Sequence, residues 1–110
     1  MQGYQISFFT QQDKRHQGKP IVEWLVQLAQ ELHLSGVTVL PASLGIGHHH
    51  QLHAAHFFEL SDQPVVVIMV LTAPEAEQLL ARLQAEKVSL FYVKTPAEFA
   101  LLGTDDARTN

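Results

Sequence analysis

The sequence contains no cysteine among its 110 residues, so it can form neither a disulfide nor a thiolate metal site, and it offers no cysteine nucleophile. It also has few basic residues, because seven Lys and Arg face eleven Asp and Glu to give a formal net charge of −4. A protein that binds nucleic-acid phosphates needs clustered cations, so we expect no nucleic-acid partner. The longest apolar run, at residues 65–71, is too short to cross a bilayer. We expect a soluble, cytoplasmic protein that is not embedded in a membrane.

The sequence also lacks the motifs of common enzyme classes. There is no Gly-x-Ser-x-Gly motif, and Gly45-Ile46-Gly47 has neither the third glycine of a dinucleotide fingerprint nor the lysine of a Walker loop. Glu59 and Asp62 lie near several histidines, which leaves metal-assisted hydrolysis as the enzymatic alternative. Because no nucleophile or acid–base pair is evident, we expect that the protein is not an enzyme.

What the sequence does contain is an alternation of strand and helix patterns. Strands are predicted at residues 4–9, from about 37, at 65–71 and at 88–93. A helical apolar period runs from Ile21 to Leu32, and a second helix follows the capping box Thr72-Ala73-Pro74-Glu75. This βαββαβ order predicts an α+β, ferredoxin-like fold, in which both helices cover one face of an antiparallel sheet. We expect one domain over residues 1–103 and a disordered polar tail over 104–110.

The strand at residues 65–71 is apolar at every position, which is typical of a strand covered on both faces. Two helices can cover only one face of the sheet, so we expect another subunit on the other face and hence an oligomer. The alternative is that the C-terminal segment folds across that face. Thr95-Pro96-Ala97-Glu98 matches a second capping box, which would open a short turn through residues 99–102.

Several segments together resemble the DUF190 family of PII-like proteins over residues 1 to about 93. The segments that carry the resemblance are Asp13 with Gly18-Lys19-Pro20, residues 36–40, Gly45-Ile46-Gly47, His53 and residues 60–66. The resemblance implies a ferredoxin-like subunit, a homotrimer as in the PII superfamily, and ligand-responsive regulation instead of catalysis.

In PII-like trimers, the loop between the second and third strands is the signalling element, and nucleotides bind between subunits at its base. The resemblance implies that Thr38, Gly45 and Gly47 contact such a ligand, that an adenine nucleotide is the ligand, and that a membrane transport protein is the regulated partner. Lys19 precedes a helix and could donate to an anion there, although Gly-Lys-Pro could simply turn the chain. Our leading hypothesis is that a small ligand orders the 45–63 loop.

Five of the seven histidines lie between positions 48 and 56. These candidate metal ligands are His48, His49, His50, His53 and His56. Their spacings would let imidazoles converge on zinc, copper or nickel, which makes a metal-binding trimer the alternative function. The same loop could instead be merely solvated, or could loosen as its imidazoles gain charge under mild acid, and His53 could make a structural hydrogen bond.

Overall fold

The computed structural model describes residues 1–42, 44–46, 52–54 and 63–103. Within these residues the chain forms two helices and eight strands. In chain order they are β1 (Gln2–Gln11), β2 (Arg15–His16), β3 (Lys19–Pro20), α1 (Ile21–Glu31), β4 (Thr38–Pro41), β5 (Leu44–Ile46), β6 (Leu52–Ala54), β7 (Pro64–Thr72), α2 (Ala73–Ala85) and β8 (Phe91–Glu98). In this part of the chain, neither helix is long and apolar enough to cross a membrane.

The main sheet has four antiparallel strands in the order β4-β7-β1-β8. At its centre, Ile6 of β1 pairs with Met69 of β7 on one side and with Lys94 of β8 on the other. Two short hairpins, β2–β3 and β5–β6, are added to this frame. Strands β1, β4, β7 and β8, interleaved with the two helices, confirm the predicted ferredoxin-like βαββαβ order.

The core lies between the helices and one face of the sheet, called here the inner face. Alternate residues of the two central strands are fully buried there, among them Ile6, Phe8, Val67, Met69 and Leu71. Both helices pack into the same cluster. They contribute Ile21, Trp24, Leu25, Leu28, Ala29, Ala76, Leu79 and Leu83. The helices therefore share one face, as the topology predicts, and each large buried side chain stabilises the fold by about 1.5–3 kcal/mol.

The two helices begin in different ways. The hydroxyl of Thr72 accepts a hydrogen bond from the Glu75 amide at 3.3 Å, while the Glu75 carboxylate accepts one from the Thr72 amide at 2.9 Å. This reciprocal pair confirms the capping box predicted at the start of α2. Helix α1 has Pro20 at its N-cap without a side-chain cap, and the amide of Ile21 donates to the carbonyl of Lys14 at 2.8 Å.

The C-terminal part of the fold differs from the sequence prediction. Strand β8 starts at Phe91, later than the predicted residue 88, and continues to Glu98, so the four residues from Thr95 lie in a strand and not in a helix cap. Phe99 and Met1 then exchange two hydrogen bonds of 2.8 Å. Leu101 and Leu102 are 70% and 93% exposed. The predicted turn is therefore wrong, and neither leucine covers the sheet. Residues 104–110, the predicted tail, lie outside the described residues.

The second face of the sheet, called here the outer face, carries apolar side chains that neither helix covers. The strand register places Phe9, Leu40, Phe91 and Val93 on this face, together with the half-buried Val66, Ile68 and Val70. The first four are between 42% and 56% exposed. An apolar patch of this kind on a small subunit indicates an interaction surface. This arrangement supports the expectation of an oligomer over that of a C-terminal cover.

Candidate functional site

The segment that carries most candidate site residues leaves and re-enters the sheet at one end. The amide of Ala42 donates to the carbonyl of Pro64 at 2.8 Å, which ties the exit of β4 to the start of β7. The amide of Gln12 donates to the carbonyl of Gln63 at 3.0 Å. The base of the 45–63 loop is thus fixed to β1, β4 and β7, beside the β2–β3 hairpin.

Two of the predicted ligand-binding residues lie on the path into this loop. Thr38 opens β4, is exposed, and pairs with Ile68, so it lies on the outer face. Gly45 lies in β5, where it pairs with His53 of β6. The second strand of the main sheet, β4, ends at Pro41, and β5 begins separately at Leu44.

Lys19 lies on the helix side of the sheet. Its ammonium group donates to the side-chain carbonyl of Gln27 on α1, and it lines a cavity of about 230 Å³ with Trp24 and Arg82. The first amide of α1, that of Ile21, already donates to Lys14 and is not available to an anion. Because Thr38 lies on the outer face, one subunit does not bring Lys19 and Thr38 together.

The remaining candidates lie outside the described residues. These are Gly47, His48, His49, His50 and His56. For His53, the structure describes its pairing with Gly45 between strands β6 and β5. Across residues 1–42, 44–46, 52–54 and 63–103, no three His, Asp or Glu side chains are grouped to hold a metal ion.

A polar cluster that sequence reasoning missed joins the β2–β3 hairpin to both helices. The Glu86 carboxylate accepts hydrogen bonds from Arg82 at 3.1 Å and from the Gln17 side chain at 3.0 Å, and Arg82 also donates to Glu31 at 2.8 Å. Hydrogen bonding by Arg82 lowers the pKa of Glu86, and hydrogen bonds to Glu31 and then Glu86 raise the pKa of Arg82.

His16 completes this cluster, which we call the Glu86 cluster. Its Nε2 lies 3.9 Å from Glu86 Oε1, and its ring packs edge-on against Trp24 with the ring centres 4.5 Å apart. The spacing of Arg82 and Glu86 on one helix could have indicated their pair. The contacts with Gln17, His16 and Glu31 depend on how distant parts of the chain fold together, so the sequence carries no local signal for them.

Comparison with known proteins identifies the family. The chain matches DUF190, described as "Uncharacterized ACR", over residues 3–91. A relative from Aquifex aeolicus (strain VF5), the "UPF0166 protein", is 35% identical over 66 residues, which are 59% of this chain and 63% of that relative. The chain thus matches less than two thirds of the length of this relative.

Solved structures with the same fold carry the PII-like description. One is CPII, a nitrogen regulatory PII-like protein from Thiomonas intermedia K12 bound to ADP, AMP and bicarbonate, with a TM-score of 0.66 and 16% identity over 88% of this chain and 87% of that chain. Another is a proposed PII-like signaling protein from Thermus thermophilus, with a TM-score of 0.66 and 16% identity over 88% of each chain. This chain belongs to the DUF190 family and has the ferredoxin-like fold of PII-like proteins.

Proposed function

We propose that this protein is a ligand-responsive regulator of the PII-like type that works as a homotrimer. A small ligand, with an adenine nucleotide as the leading candidate, binds between subunits at the base of the 45–63 loop and orders that loop. The ordered loop then changes how the protein docks on a regulated partner, for which a membrane transport protein is the candidate. A ligand that contacts only the ordered loop shifts the population toward that state.

The observation that carries this proposal is the uncovered outer face. Val66, Ile68 and Val70 of the central strand β7 lie on it beside Phe9 and Leu40, and neither helix reaches them. Burying such a surface against other copies of the chain removes apolar area from water at about 25 cal/mol per Å². Assembly through this face gives the subunits the contact that an intersubunit ligand site requires.

The position of Thr38 supports a ligand site at the border of that interface. Thr38 and Leu40 share one strand and one face, and the chain enters the 45–63 loop soon after Pro41. When outer faces meet, Thr38 and the base of the loop lie next to a neighbouring subunit. CPII, which shares the fold, is bound to ADP, AMP and bicarbonate, and this makes adenine nucleotides the first ligands to test.

The proposal is tested by comparing ligand binding in assembled and dissociated protein. Ile68→Glu places a charge at the centre of the outer face, and Gln78→Glu adds the same charge to an exposed position of α2 as the matched control. The molecular mass of each untagged, chelator-treated protein is measured in solution. Each protein is then titrated by calorimetry with ADP, AMP and ATP, with and without bicarbonate. We expect Gln78→Glu to remain a trimer that binds nucleotide, and Ile68→Glu to dissociate and lose at least about tenfold in affinity, or about 1.4 kcal/mol.

The site itself is tested with Thr38→Ala. Loss of one hydroxyl hydrogen bond should weaken nucleotide binding about 2- to 10-fold without changing the mass in solution, whereas Ser89→Ala at an exposed position should bind normally.

Unchanged nucleotide affinity in dissociated Ile68→Glu would contradict an intersubunit site. A thermal shift with zinc, copper or nickel but with no nucleotide would favour the metal-binding alternative.

A further inference from the structure

The β2–β3 hairpin is a small element whose position depends on a few contacts. Its turn uses left-handed backbone at Gln17 (φ 53°) and Gly18 (φ 80°), the type I′ geometry that suits a two-residue connection. Its side-chain hydrogen bond to α2 runs from Gln17 to Glu86. Any further bond to Glu86 would therefore directly strengthen the attachment of the hairpin to the end of α2.

His16 lies close to Glu86 but makes no hydrogen bond to it in the structure. Its side chain is 16% exposed, and its Nε2 is buried without a hydrogen-bond partner among the described residues. The nearest acceptor, Glu86 Oε1, lies 3.9 Å away, beyond hydrogen-bond distance. A small rotation of the imidazole would close this gap, and a protonated ring would then donate to a carboxylate and pair with its charge.

We propose that His16 and Glu86 form a pH-sensitive latch that holds the β2–β3 hairpin against the end of α2. Protonation of His16 closes the latch as the pH falls, and deprotonation releases it as the pH rises. The direction follows because the charged imidazole gains a partner only in the docked hairpin, so acid favours docking. The latch also acts near the ligand loop, since Gln12, just before the hairpin, bonds to Gln63. The latch does not require a nucleotide to be bound at the proposed site.

The elements next to His16 carry several charged groups. Arg15 precedes it on β2, and its guanidinium donates to Gly18 in the turn; Lys19 pairs with His16 from β3 and donates to Gln27. Helix α1 contributes Glu31 and the uncharged Trp24, α2 contributes Arg82, and Glu86 is the C-cap of α2. Since Arg82 is held by both carboxylates, its charge is largely offset.

Glu86 remains ionised throughout the change. Hydrogen bonding by Arg82 holds the pKa of Glu86 below its usual value, so Glu86 keeps its negative charge over the near-neutral range in which histidines titrate.

Trp24 provides a direct measurement, because it is the one tryptophan of the chain and contacts His16. The fluorescence of the full chain is recorded between pH 8 and pH 5, since an imidazolium in contact with an indole changes its emission. We expect one reversible transition in the wild type and its loss in His16→Gln. In Glu86→Gln the transition should move to lower pH by about half a unit or more, whereas Glu77→Gln, at an exposed position of the same helix, should match the wild type.

Amide exchange of residues 14–19 tests whether the charge change holds the hairpin. After correction for intrinsic exchange rates, protection should rise at least about twofold from pH 8 to pH 6 in the wild type and stay flat in Glu86→Gln. A fluorescence transition that survives in His16→Gln, one that does not move in Glu86→Gln, or protection that is independent of pH would each overturn the latch. The Glu86→Gln result stands even where His16→Gln does not fold.

Discussion

The two faces of the sheet are built from the same strands but lie in different environments, one buried and one partly exposed. On the inner face, Ile6, Phe8 and Met69 are fully buried beneath two helices. On the outer face, the neighbouring residues Phe9 and Ile68 belong to an apolar surface that the described chain does not cover. Helices of the same chain cover the inner face, whereas in the proposed trimer neighbouring subunits cover the outer face.

This difference separates stability from assembly. Side chains on the inner face contribute to folding of the single subunit, and in the proposed trimer side chains on the outer face contribute when subunits meet. Matched substitutions on the two faces should therefore differ in how much they change the free energy of unfolding and its dependence on protein concentration.

The largest expected effect comes from truncating adjacent phenylalanines of β1. Phe8→Ala opens a cavity in the core and should lower the free energy of unfolding by about 3–5 kcal/mol. Phe9→Ala should lower the stability of the subunit by less than about 1 kcal/mol, while weaker association should make the unfolding midpoint depend less on protein concentration than in the wild type. Urea unfolding at several protein concentrations measures both, and equal losses that do not depend on concentration would refute the comparison.

A smaller effect is expected at the junction of β1 and β7, on which both faces depend. A Cβ atom at Gly3 would overlap the carbonyl oxygen of Leu71, so Gly3→Ala must push the two strands apart. We expect a loss of about 1–3 kcal/mol in thermal unfolding. The control is Gly36→Ala, because Gly36 has open space around it and no left-handed φ. Equal melting temperatures for the two variants would contradict a close approach of the two strands at Gly3.

The smallest effect concerns the start of α2, one of the two helices that cover the inner face. Thr72→Ala removes the hydroxyl that accepts from the Glu75 amide and should lower the free energy of unfolding by about 1 kcal/mol. The mass in solution should not change, because the substitution leaves the apolar side chains of the outer face in place. Thr72→Ser retains the acceptor and should restore most of the lost stability; failure to do so would argue against capping as the cause.

The sequence predicts the elements whose determinants are local. The apolar period from Ile21 and the capping box at Thr72 place both helices, and the apolar run in β7 places the central strand. Each of these signals lies within the element that it specifies.

Elements that depend on distant partners are predicted poorly. The four residues from Thr95 match a helix cap, but they pair with the first residues of β1, and Pro96 is tolerated because β8 is an edge strand. The β2–β3 hairpin rests on left-handed backbone at Gln17, a residue type that gives no such signal. The Glu86 cluster joins residues 69 positions apart, Gln17 and Glu86, so it appears only in the folded chain.

The mass of the untagged protein in solution tests the central claim most directly. Light scattering or native mass spectrometry should give about 37 kDa, three times the 12.3 kDa of one chain, and Ile68→Glu should reduce this mass while Gln78→Glu should not. A wild-type mass of 12.3 kDa at every concentration would contradict the account, because the outer face would then remain in water without a second copy to cover it.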